Sequence, residues 1–514
     1  MTAHNSCRER RGASRWRATL ATVLLAAATA GCAAVGPNFK SPSAPTTHGY
    51  LAPAERTTPG SADGQAVPAQ TIALGETVEA EWWTLFRSPE LDGLVKQAIA
   101  ASPTLEGAKA RLAQSQQLVR AASGALQPQV GFSATDTEQK ETAAEFGLSP
   151  RVVQLPSSFN FFQIGPSVSY DLDLFGGGRR RVEEQSAMAD FQRDQLDAAY
   201  MVLTADTVTE AIQVASVRAQ LAALSDILDL DRQNLELVRK EREAGTVPDS
   251  DVVTAESQLA ADETLRPSLD QQLSVAKHAL AVLTGRSPGD WSPPDFDLAA
   301  LTLPGRLPVS LPSSLVRQRP DILAAESMLH AASAQIGIAT AQLYPDVTLS
   351  AGATGSSLNG GSPFTAGGLA WSVAAGLTQP IFDGGMRQAQ RRAALEAFKA
   401  SAADYRQTVL VSFGQVADVL QALNHDADLL GAQQQAQSLA SDSARLQRIN
   451  YTAGGAGILN LLDAQRQYQQ ARLGYVRAQA QRYQDTVQLL VAMGGGWWDA
   501  NLAGAPAPST GVRQ

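Results

Sequence analysis

The sequence is poor in cysteine, histidine and charge, and each shortage excludes a class of protein. Only two of its 514 residues are cysteine, Cys7 and Cys32, so a disulfide framework is excluded. Its five histidines are scattered without metal-ligand spacing, and no phosphate-binding loop, dinucleotide fingerprint or G-x-S-x-G motif occurs. We therefore expect no enzyme activity, no metal site and no cofactor.

Positive charge and long apolar runs are also scarce. The chain has 41 Lys and Arg against 50 Asp and Glu, a net charge of −9, so it lacks the basic footprint of a nucleic-acid-binding protein. Beyond the first thirty residues no run of about 18 apolar residues occurs, which excludes membrane-spanning helices. Strands of a membrane β-barrel give a much weaker signal and are not excluded.

The N-terminus has the pattern of a secretory signal peptide. Five arginines in residues 1–17 precede the apolar run 18–30, which ends in Thr29-Ala30-Gly31-Cys32. Small residues before a cysteine are typical of a lipobox, so we expect residues 1–31 to be removed and Cys32 to carry a covalent lipid. An ordinary cleavage site beside a bystander cysteine and twin-arginine export are the alternatives. Residues 32–80 are predicted to be a lipidated tether, flexible over the Pro- and Ser-rich stretch 40–70.

The remainder of the chain is a duplicated unit. We predict repeats at residues 81–285 and 312–495, a connector at 286–311 and a tail at 496–514. Short matches recur in the same order at offsets of 207 to 217 residues: Ser102-Pro103 with Arg319-Pro320, Leu126-Gln127-Pro128 with Leu343-Tyr344-Pro345, Phe175 with Phe382, Ala244-Gly245 with Ala453-Gly454, and Gly285 with Gly494.

Each repeat contains a long helical pattern with apolar residues at alternating steps of four and three, as in coiled coils. The first pattern predicts a helix over residues 179–243, about 100 Å long at 1.5 Å per residue. Two or three ordinary helices in a bundle are the alternative. The heptad positions are Val217, Leu221, Leu224, Leu228, Asp231, Leu235 and Val238, and then Val409, Phe413, Val416, Leu420, Leu423, Ala427 and Leu430.

Each repeat also contains two strand patterns of alternating apolar residues, about ten residues long as a tilted outer-membrane strand requires. Residues 137–158 and 355–368 are predicted to be loops. Four strands cannot close a barrel, and open edges are not tolerated in lipid, so membrane strands would require several copies to pool them. The strand positions are Val130, Phe132 and Ala134; Ile164, Val168, Tyr170, Leu172 and Leu174; Val347, Leu349, Ala351 and Ala353; and Trp371, Val373, Ala375 and Leu377.

Over nearly its whole length the chain resembles the outer membrane factor lipoproteins of tripartite resistance-nodulation-division efflux systems. The matching stretches are Val35-Gly36-Pro37-Asn38-Phe39, Glu81-Trp82-Trp83-Thr84-Leu85-Phe86, Pro89-Glu90-Leu91, Arg319-Pro320-Asp321-Ile322, Leu343-Tyr344-Pro345, Gln379-Pro380-Ile381-Phe382-Asp383-Gly384-Gly385, Leu461-Leu462-Asp463-Ala464-Gln465-Arg466 and Met493-Gly494-Gly495-Gly496-Trp497.

The resemblance implies a mixed α and β fold that forms a homotrimer. Four strands per chain would give a 12-stranded outer-membrane β-barrel, continued by a long periplasmic α-helical barrel with a small equatorial domain. The expected function is a passive duct for multidrug or small-molecule efflux, which works with a periplasmic adaptor and an inner-membrane proton-driven pump. A duct for one-step protein secretion and a non-pore periplasmic lipoprotein scaffold are the alternatives.

The resemblance also assigns functional residues. Two glycine-rich turns, at residues 243–248 (the first tip) and 453–457 (the second tip), are expected to contact the adaptor through Gly245, Thr246, Gly454 and Gly455; plain turns are the alternative. Asp463 and Arg466 are expected to hold a periplasmic gate shut, whereas from spacing alone they form an exposed ion pair. Gly177 and Gly384 are predicted to bend the chain from strand to helix, which we favour over phosphate binding by Gly176-Gly177-Gly178.

Overall fold

The computed structural model describes residues 34–47, 49–51, 70–140, 158–358 and 360–497. The predicted signal peptide, Cys32, most of the insert at 141–157 and the tail from 498 onward lie outside these ranges. The strands are β1 (Thr71–Leu74), β2 (Gln129–Gln139), β3 (Phe159–Leu172), β4 (Arg306–Val309), β5 (Asp346–Leu358) and β6 (Leu369–Thr378). The helices are α1 (Pro89–Ala101), α2 (Pro103–Gly124), α3 (Gly177–Glu243), α4 (Asp249–Glu263), α5 (Leu265–Leu283), α6 (Pro312–Leu315), α7 (Pro320–Ala341), α8 (Met386–Thr452) and α9 (Ile458–Ala492).

Two matching pairs of helices have equal length in the two repeats. Helices α2 and α7 each have 22 residues, and the long helices α3 and α8 each have 67. The alternative of several ordinary helices in place of each long one is therefore wrong. In the second repeat α9 is one helix of 35 residues, whereas the corresponding stretch of the first is broken at Thr264 into α4 and α5. Pro267 lies in the first turn of α5, where a missing N–H is tolerated.

The chain divides into two compact units, and the described residues of the first are 34–42, 112–140, 158–191, 325–358 and 360–405. Its centre is an antiparallel sheet with strand order β2-β3-β5-β6. The register places the predicted apolar positions of all four strands on one face: Val130 pairs with Val168, Val168 with Ala351, and Ala351 with Val373. The other face carries small and polar residues except at its loop end, where Phe159, Phe161 and Leu358 lie, so most of the sheet has one apolar and one polar side.

The four strands confirm the alternating patterns, but two of them run further than predicted. Strand β2 continues to Gln139 and β5 to Leu358, so the predicted loops begin about three residues too early. At the end of β5 the backbone still pairs with β3, as Leu358 lies opposite Phe161. Backbone pairing needs no particular side chain, and the Gly/Ser composition there therefore misled the prediction.

The described residues of the second unit are 43–47, 49–51, 70–111, 192–324 and 406–497. It contains a small parallel sheet of β1 and β4 beside a 3-10 helix, Trp82–Phe86. Trp82, Trp83 and Phe86 of that helix are at most 1% exposed. Helix α1 begins at Pro89 after Ser88, whose hydroxyl accepts a hydrogen bond from the Leu91 N–H at 3.2 Å.

Part of the predicted tether is docked on the second unit. The Tyr50 hydroxyl donates to the Ser310 carbonyl at 2.8 Å, and its ring packs edge-on against Phe413. Gln70 is fully buried and accepts a hydrogen bond from Arg482 Nε at 3.0 Å. The prediction of a flexible stretch over 40–70 is therefore wrong at these two residues, and β1 was not predicted.

The Arg-Pro-Asp-Ile stretch of the second unit is a buried junction. Arg319, which is 5% exposed, makes a bidentate ion pair with Asp321 at 2.7 and 3.0 Å. It also donates to Gln415 Oε1 at 2.8 Å and to the Ala492 carbonyl at 3.2 Å. One arginine therefore ties the start of α7 to α8 and to the end of α9.

The heptad positions predicted on the long helices are turned inward. Val217, Leu224, Leu228 and Val238 of α3 are at most 2% exposed, and the heptad positions of α8 in the second unit are buried or half-buried. The 3.5-residue period therefore marks the packed face of each long helix.

Among the described residues one helix, α7, is long and apolar enough to cross a membrane by length and composition alone. In the most apolar 18-residue stretch of α7, 61% of the residues are buried inside the protein. That fraction is typical of a core helix. The sequence prediction considered only uninterrupted apolar runs and did not single it out.

Candidate functional site

The first tip ends the long helix α3 with a Schellman motif. Gly245 has φ +74°, the left-handed conformation that costs a residue with a side chain about 1–2 kcal/mol. The Thr246 N–H donates to the Glu241 carbonyl at 2.9 Å, and the Gly245 N–H donates to the Arg242 carbonyl at 3.0 Å. The last carbonyls of the helix are thereby satisfied, and the chain reverses into α4.

The second tip repeats this geometry at the end of α8. Gly454 has φ +72°, the Gly455 N–H donates to the Asn450 carbonyl at 2.8 Å, and the Gly454 N–H donates to the Tyr451 carbonyl at 2.9 Å. No atom lies within 4 Å of a side chain built at Gly245 or Gly454, so both turns face open space. All four predicted tip residues thus lie in two equivalent helix-reversing turns.

A hydrophobic cluster joins the two hairpins, α3–α4 and α8–α9, directly behind the tips. All four helices contribute to it, so the hairpins of one chain are packed together at this end of the second unit. Its buried members are Leu235, Val238, Val252, Ala255, Tyr451, Ile458, Leu461 and Leu462.

Tyr451 and Glu241 form a polar contact between the hairpins at the same level. The Tyr451 hydroxyl donates a hydrogen bond to Glu241 Oε2, and Tyr451 is only 6% exposed. Burial first, and then the neighbouring carboxylate of Glu241, raises the pKa of Tyr451, which keeps the hydroxyl protonated. The sequence analysis missed this contact because the partners are 210 residues apart; the available signal was that each lies in the last turn before a tip.

Further polar contacts join α3 to α9 above the tips. Arg472 is paired with Asp226, Arg477 Nε donates to Gln220 Oε1 at 2.9 Å, and Gln484 Nε2 donates to Gln213 Oε1 at 3.1 Å. In these contacts, long polar side chains link residues about 250 positions apart along one side of the hairpin pair.

Asp463 and Arg466 lie in the second turn of α9, close to the second tip. Arg466 Nη2 donates to Asp463 Oδ1 at 2.5 Å, and Gln467 Nε2 donates to Asp463 Oδ2 at 2.9 Å. Both charged side chains are about half exposed, at 50% for Asp463 and 54% for Arg466. Within one chain they form an exposed i, i+3 ion pair, which contributes only a few tenths of a kcal/mol. The assignment of the two residues to a gate stays a prediction.

In the first unit, Arg180 near the start of α3 holds the segment that follows Cys32. Arg180 is 4% exposed and donates to the Val35 carbonyl at 3.2 Å and to Asn38 Oδ1 at 2.7 Å. The Val35 N–H donates to the Phe175 carbonyl at 3.0 Å, which ties the segment to the chain just after β3. The sequence motif Val35-Gly36-Pro37-Asn38-Phe39 is therefore a docking segment.

Two more side chains complete this dock. Glu183 accepts from Arg180 Nη1 at 2.6 Å and is hydrogen-bonded to His330 Nε2 at 3.0 Å. The His330 ring stacks on Phe39, with ring centres 4.4 Å apart. The first unit thus binds residues 34–39 through a network of charged side chains and one aromatic contact.

The strand-to-helix bends differ from the prediction in the first repeat. The left-handed residue is Gly176, with φ +78°, whereas Gly177 is the first residue of α3. Asp173 explains the shift, because its carboxylate accepts the N–H groups of Gly178 and Arg179, both at 2.9 Å, and thereby fixes where the helix begins. In the second repeat Gly384 itself is left-handed, at φ +65°.

In the part of the chain that the structure describes, no group of three or more His, Cys, Asp or Glu side chains is placed to hold a metal ion. The chemistry of the tips, the dock and the sheet is that of packing and hydrogen bonding.

Comparison with known proteins places these features in a family. The family described as outer membrane efflux protein matches residues 94–286 and 311–495. The pyoverdine export outer membrane protein OpmQ of Pseudomonas putida is 31% identical over 467 residues, covering 88% of this chain and 94% of its own. The toluene efflux pump outer membrane protein TtgF of another Pseudomonas putida strain is 28% identical over 485 residues, covering 93% and 96%.

Among solved structures the chain is similar to the outer-membrane channel OprN. The TM-score is 0.80 at 27% sequence identity, and the match covers 90% of this chain and 99% of the other. This likeness confirms the mixed helix-and-sheet fold and the outer-membrane family that the sequence motifs predicted.

We expect Gly454→Ala to destabilise the second tip by about 1 kcal/mol, because alanine is strained at φ +72°. The thermal unfolding midpoint of the purified protein should fall, and limited proteolysis should cut faster at the second tip. Gly457→Ala is the matched control, since Gly457 has φ −82° and open space around it. Equal effects of the two changes would contradict the assignment of strain to Gly454.

Proposed function

The chain belongs to the outer membrane efflux protein family, and on that premise we propose that three copies form a passive efflux duct from the periplasm to the exterior. One observation carries the proposal: the four-stranded sheet has two open edges and an apolar face that extends across all four strands, from Val130 and Phe132 of β2 to Trp371 and Val373 of β6. On the edge strands the apolar side chains are strongly exposed, 70% for Phe132 of β2 and 80% for Trp371 of β6. Such a sheet suits lipid only when its edges are paired.

Three copies give a closed barrel of 12 antiparallel strands. Strands β2 and β6 run in opposite directions, because each neighbouring pair in β2-β3-β5-β6 is antiparallel. The edge strand β2 of one copy therefore pairs antiparallel with β6 of the next. The small and polar face of the sheet lines the water-filled interior, and repeats 81–285 and 312–495 supply two strands each.

The proposed duct works with a periplasmic adaptor and an inner-membrane pump that supplies the energy. The tip residues Gly245, Thr246, Gly454 and Gly455 are the proposed adaptor contacts, since they form the exposed ends of the hairpins. Relatives named for pyoverdine and for toluene support small molecules as the cargo, in preference to secreted proteins. The apolar sheet argues against a scaffold without a pore.

Asp463 and Arg466 form the proposed periplasmic gate. Three copies bring three such pairs to the inner surface near the second tip, where pairing with neighbouring chains closes the aperture. The hydrophobic cluster behind the tips holds each hairpin pair rigid, so the exposed charges are the part that changes partners.

Cys32 is the proposed site of lipid attachment. The dock at Arg180 supports this assignment, because it holds the segment starting at Ala34, two residues after Cys32, beside the chain that follows β3. A lipid on Cys32 then enters the membrane at the helix-proximal end of the sheet.

The edge pairing predicts disulfides between copies. With Cys7 removed with the signal and Cys32 lipidated, introduced cysteines are the only thiols. A Ser133→Cys chain carrying a second cysteine at Ser372, Ala374 or Gly376, which lie on the same polar face of the sheet, should give oxidised dimers and trimers on non-reducing gels for at least one pair. Ser167→Cys on the inner strand β3 with the same partners should remain monomeric. Only monomers in every pair, or ladders beyond three copies, would contradict the trimer.

The gate predicts a conductance change. Asp463→Ala with Arg466→Ala should raise single-channel conductance in planar bilayers several-fold, because the pairs that close the aperture are lost. Glu396→Ala with Lys399→Ala, a more exposed i, i+3 pair on α8, is the control and should leave conductance unchanged. Unchanged conductance in the first variant would refute the gate.

The lipid predicts incorporation of labelled palmitate. The unmodified chain and Cys7→Ser should be labelled in cells, whereas Cys32→Ser should not, because the thiol is the attachment point. Palmitate label that persists in Cys32→Ser would contradict the assignment of Cys32 as the site of lipid attachment.

A further inference from the structure

Each helical hairpin holds two aspartates in its interior. In the first hairpin Asp231 of α3 is 5% exposed and Asp262 of α4 is 7% exposed; in the second, Asp426 of α8 is 8% exposed and Asp485 of α9 is 5% exposed. Within each pair the two carboxyl groups are hydrogen-bonded to each other. Because an ionised carboxylate has no proton to donate, one member of each pair must be protonated.

In the first hairpin the surrounding donors show which member carries the proton. Asp262 accepts a hydrogen bond from Gln469 Nε2 at 2.9 Å on one carboxyl oxygen and from Gln258 Nε2 at 2.8 Å on the other, so both of its oxygens already have a donor. Over the described residues, Asp231 Oδ2 is buried and receives no nitrogen or hydroxyl donor. The proton therefore lies on Asp231.

The second hairpin repeats the arrangement around a buried arginine. Asp485 accepts from Gln481 Nε2 at 3.0 Å, whereas Asp426 Oδ2 has no donor among the side chains that the structure describes. Arg482, 1% exposed, lies near enough to act on Asp426 electrostatically. One protonated and one ionised aspartate beside one guanidinium make a neutral cluster, whereas two ionised aspartates would leave a buried net negative charge.

We propose that one shared proton in each hairpin, between Asp231 and Asp262 and between Asp426 and Asp485, joins the two antiparallel helices, and that loss of these protons loosens the hairpins as the pH rises. When the proton is present, the two aspartates of a hairpin are joined by a hydrogen bond. When it is lost, two buried negative charges repel each other, and the two helices repel each other at the position of the pair. The inference concerns the folded chain and does not depend on the duct function.

The charged and titratable groups around each pair set the pH range. Burial first, and then the partner carboxylate, raises the pKa of Asp231 to about 7 and that of Asp426 to about 8, while Arg232 and Arg482 act in the opposite direction. Asp231 also borders a cavity of about 270 Å³ with Arg445, Arg448 and Tyr468 on its wall, through which water can reach the carboxyl group.

The sign of the effect follows from the proton count. An unfolded aspartate loses its proton near its ordinary pKa of 3.8, whereas the folded pairs keep theirs to about pH 7 and about pH 8. The folded chain therefore binds more protons across this window. The contribution of the two pairs to the free energy of unfolding therefore falls as the pH rises from about 4 to about 8. It is lowest above pH 8.

The test uses the full-length protein purified in detergent, with Asp231→Asn and Asp426→Asn. Asparagine keeps a donor toward the partner carboxylate but does not titrate. Infrared spectra should show a carboxylic-acid C=O band at about pH 6 that fades by about pH 9, and each substitution should remove about one carboxyl equivalent. The fall in unfolding midpoint between these pH values should shrink by at least half in the double variant.

Asp229→Asn and Asp428→Asn are the controls, since both residues are exposed and lie two positions away on the same helices. They should keep the band and the pH dependence. Asp197, whose pKa burial also raises to about 7, accounts for a residual band. A full band or an unchanged pH dependence in the double variant would overturn the proposal, and the single variants provide the same readout if the double variant fails to fold.

Discussion

A β-strand in lipid must have a hydrogen-bonding partner on both sides, and the sheet of this chain leaves two strands with one side open. Neither a longer loop nor a covering helix solves this within the hydrocarbon layer, so the edges β2 and β6 must be closed by other copies. Helix α3 follows β3, and α8 follows β6, within a few residues. Each half of the sheet therefore leads directly into a long helix.

The long helices of the two repeats have the same length, 67 residues each, as expected of a duplicated unit. Helices α3 and α9 are held in register by apolar residues such as Val238 and Leu461 and by buried polar pairs such as Asn234 with Gln465, in which Asn234 Nδ2 lies 2.5 Å from Gln465 Oε1. A buried polar layer adds little stability, but it penalises any slip of one helix along the other and so specifies the pairing.

The elements with a regular period could be predicted from the sequence, and those set by distant partners could not. Strands and long helices follow from spacings of two and of 3.5 residues, which local side chains carry. The dock at Arg180 joins residues about 145 positions apart, and Tyr451 meets Glu241 over 210, so no local pattern marks either. The bend moved from Gly177 to Gly176 because Asp173, not the glycine run, sets the first turn of α3.

The contrast between buried and exposed contacts near the tips restricts how a gate there can open. Breaking the cluster around Leu461 and Val238 would expose several large apolar side chains, each costing about 1.5–3 kcal/mol. The exposed pair Asp463 and Arg466 can exchange partners at a fraction of that free-energy cost. A bound adaptor can supply the smaller energy without melting the hairpins. Opening should therefore move the hairpin pair of each chain as one body and break contacts only between chains.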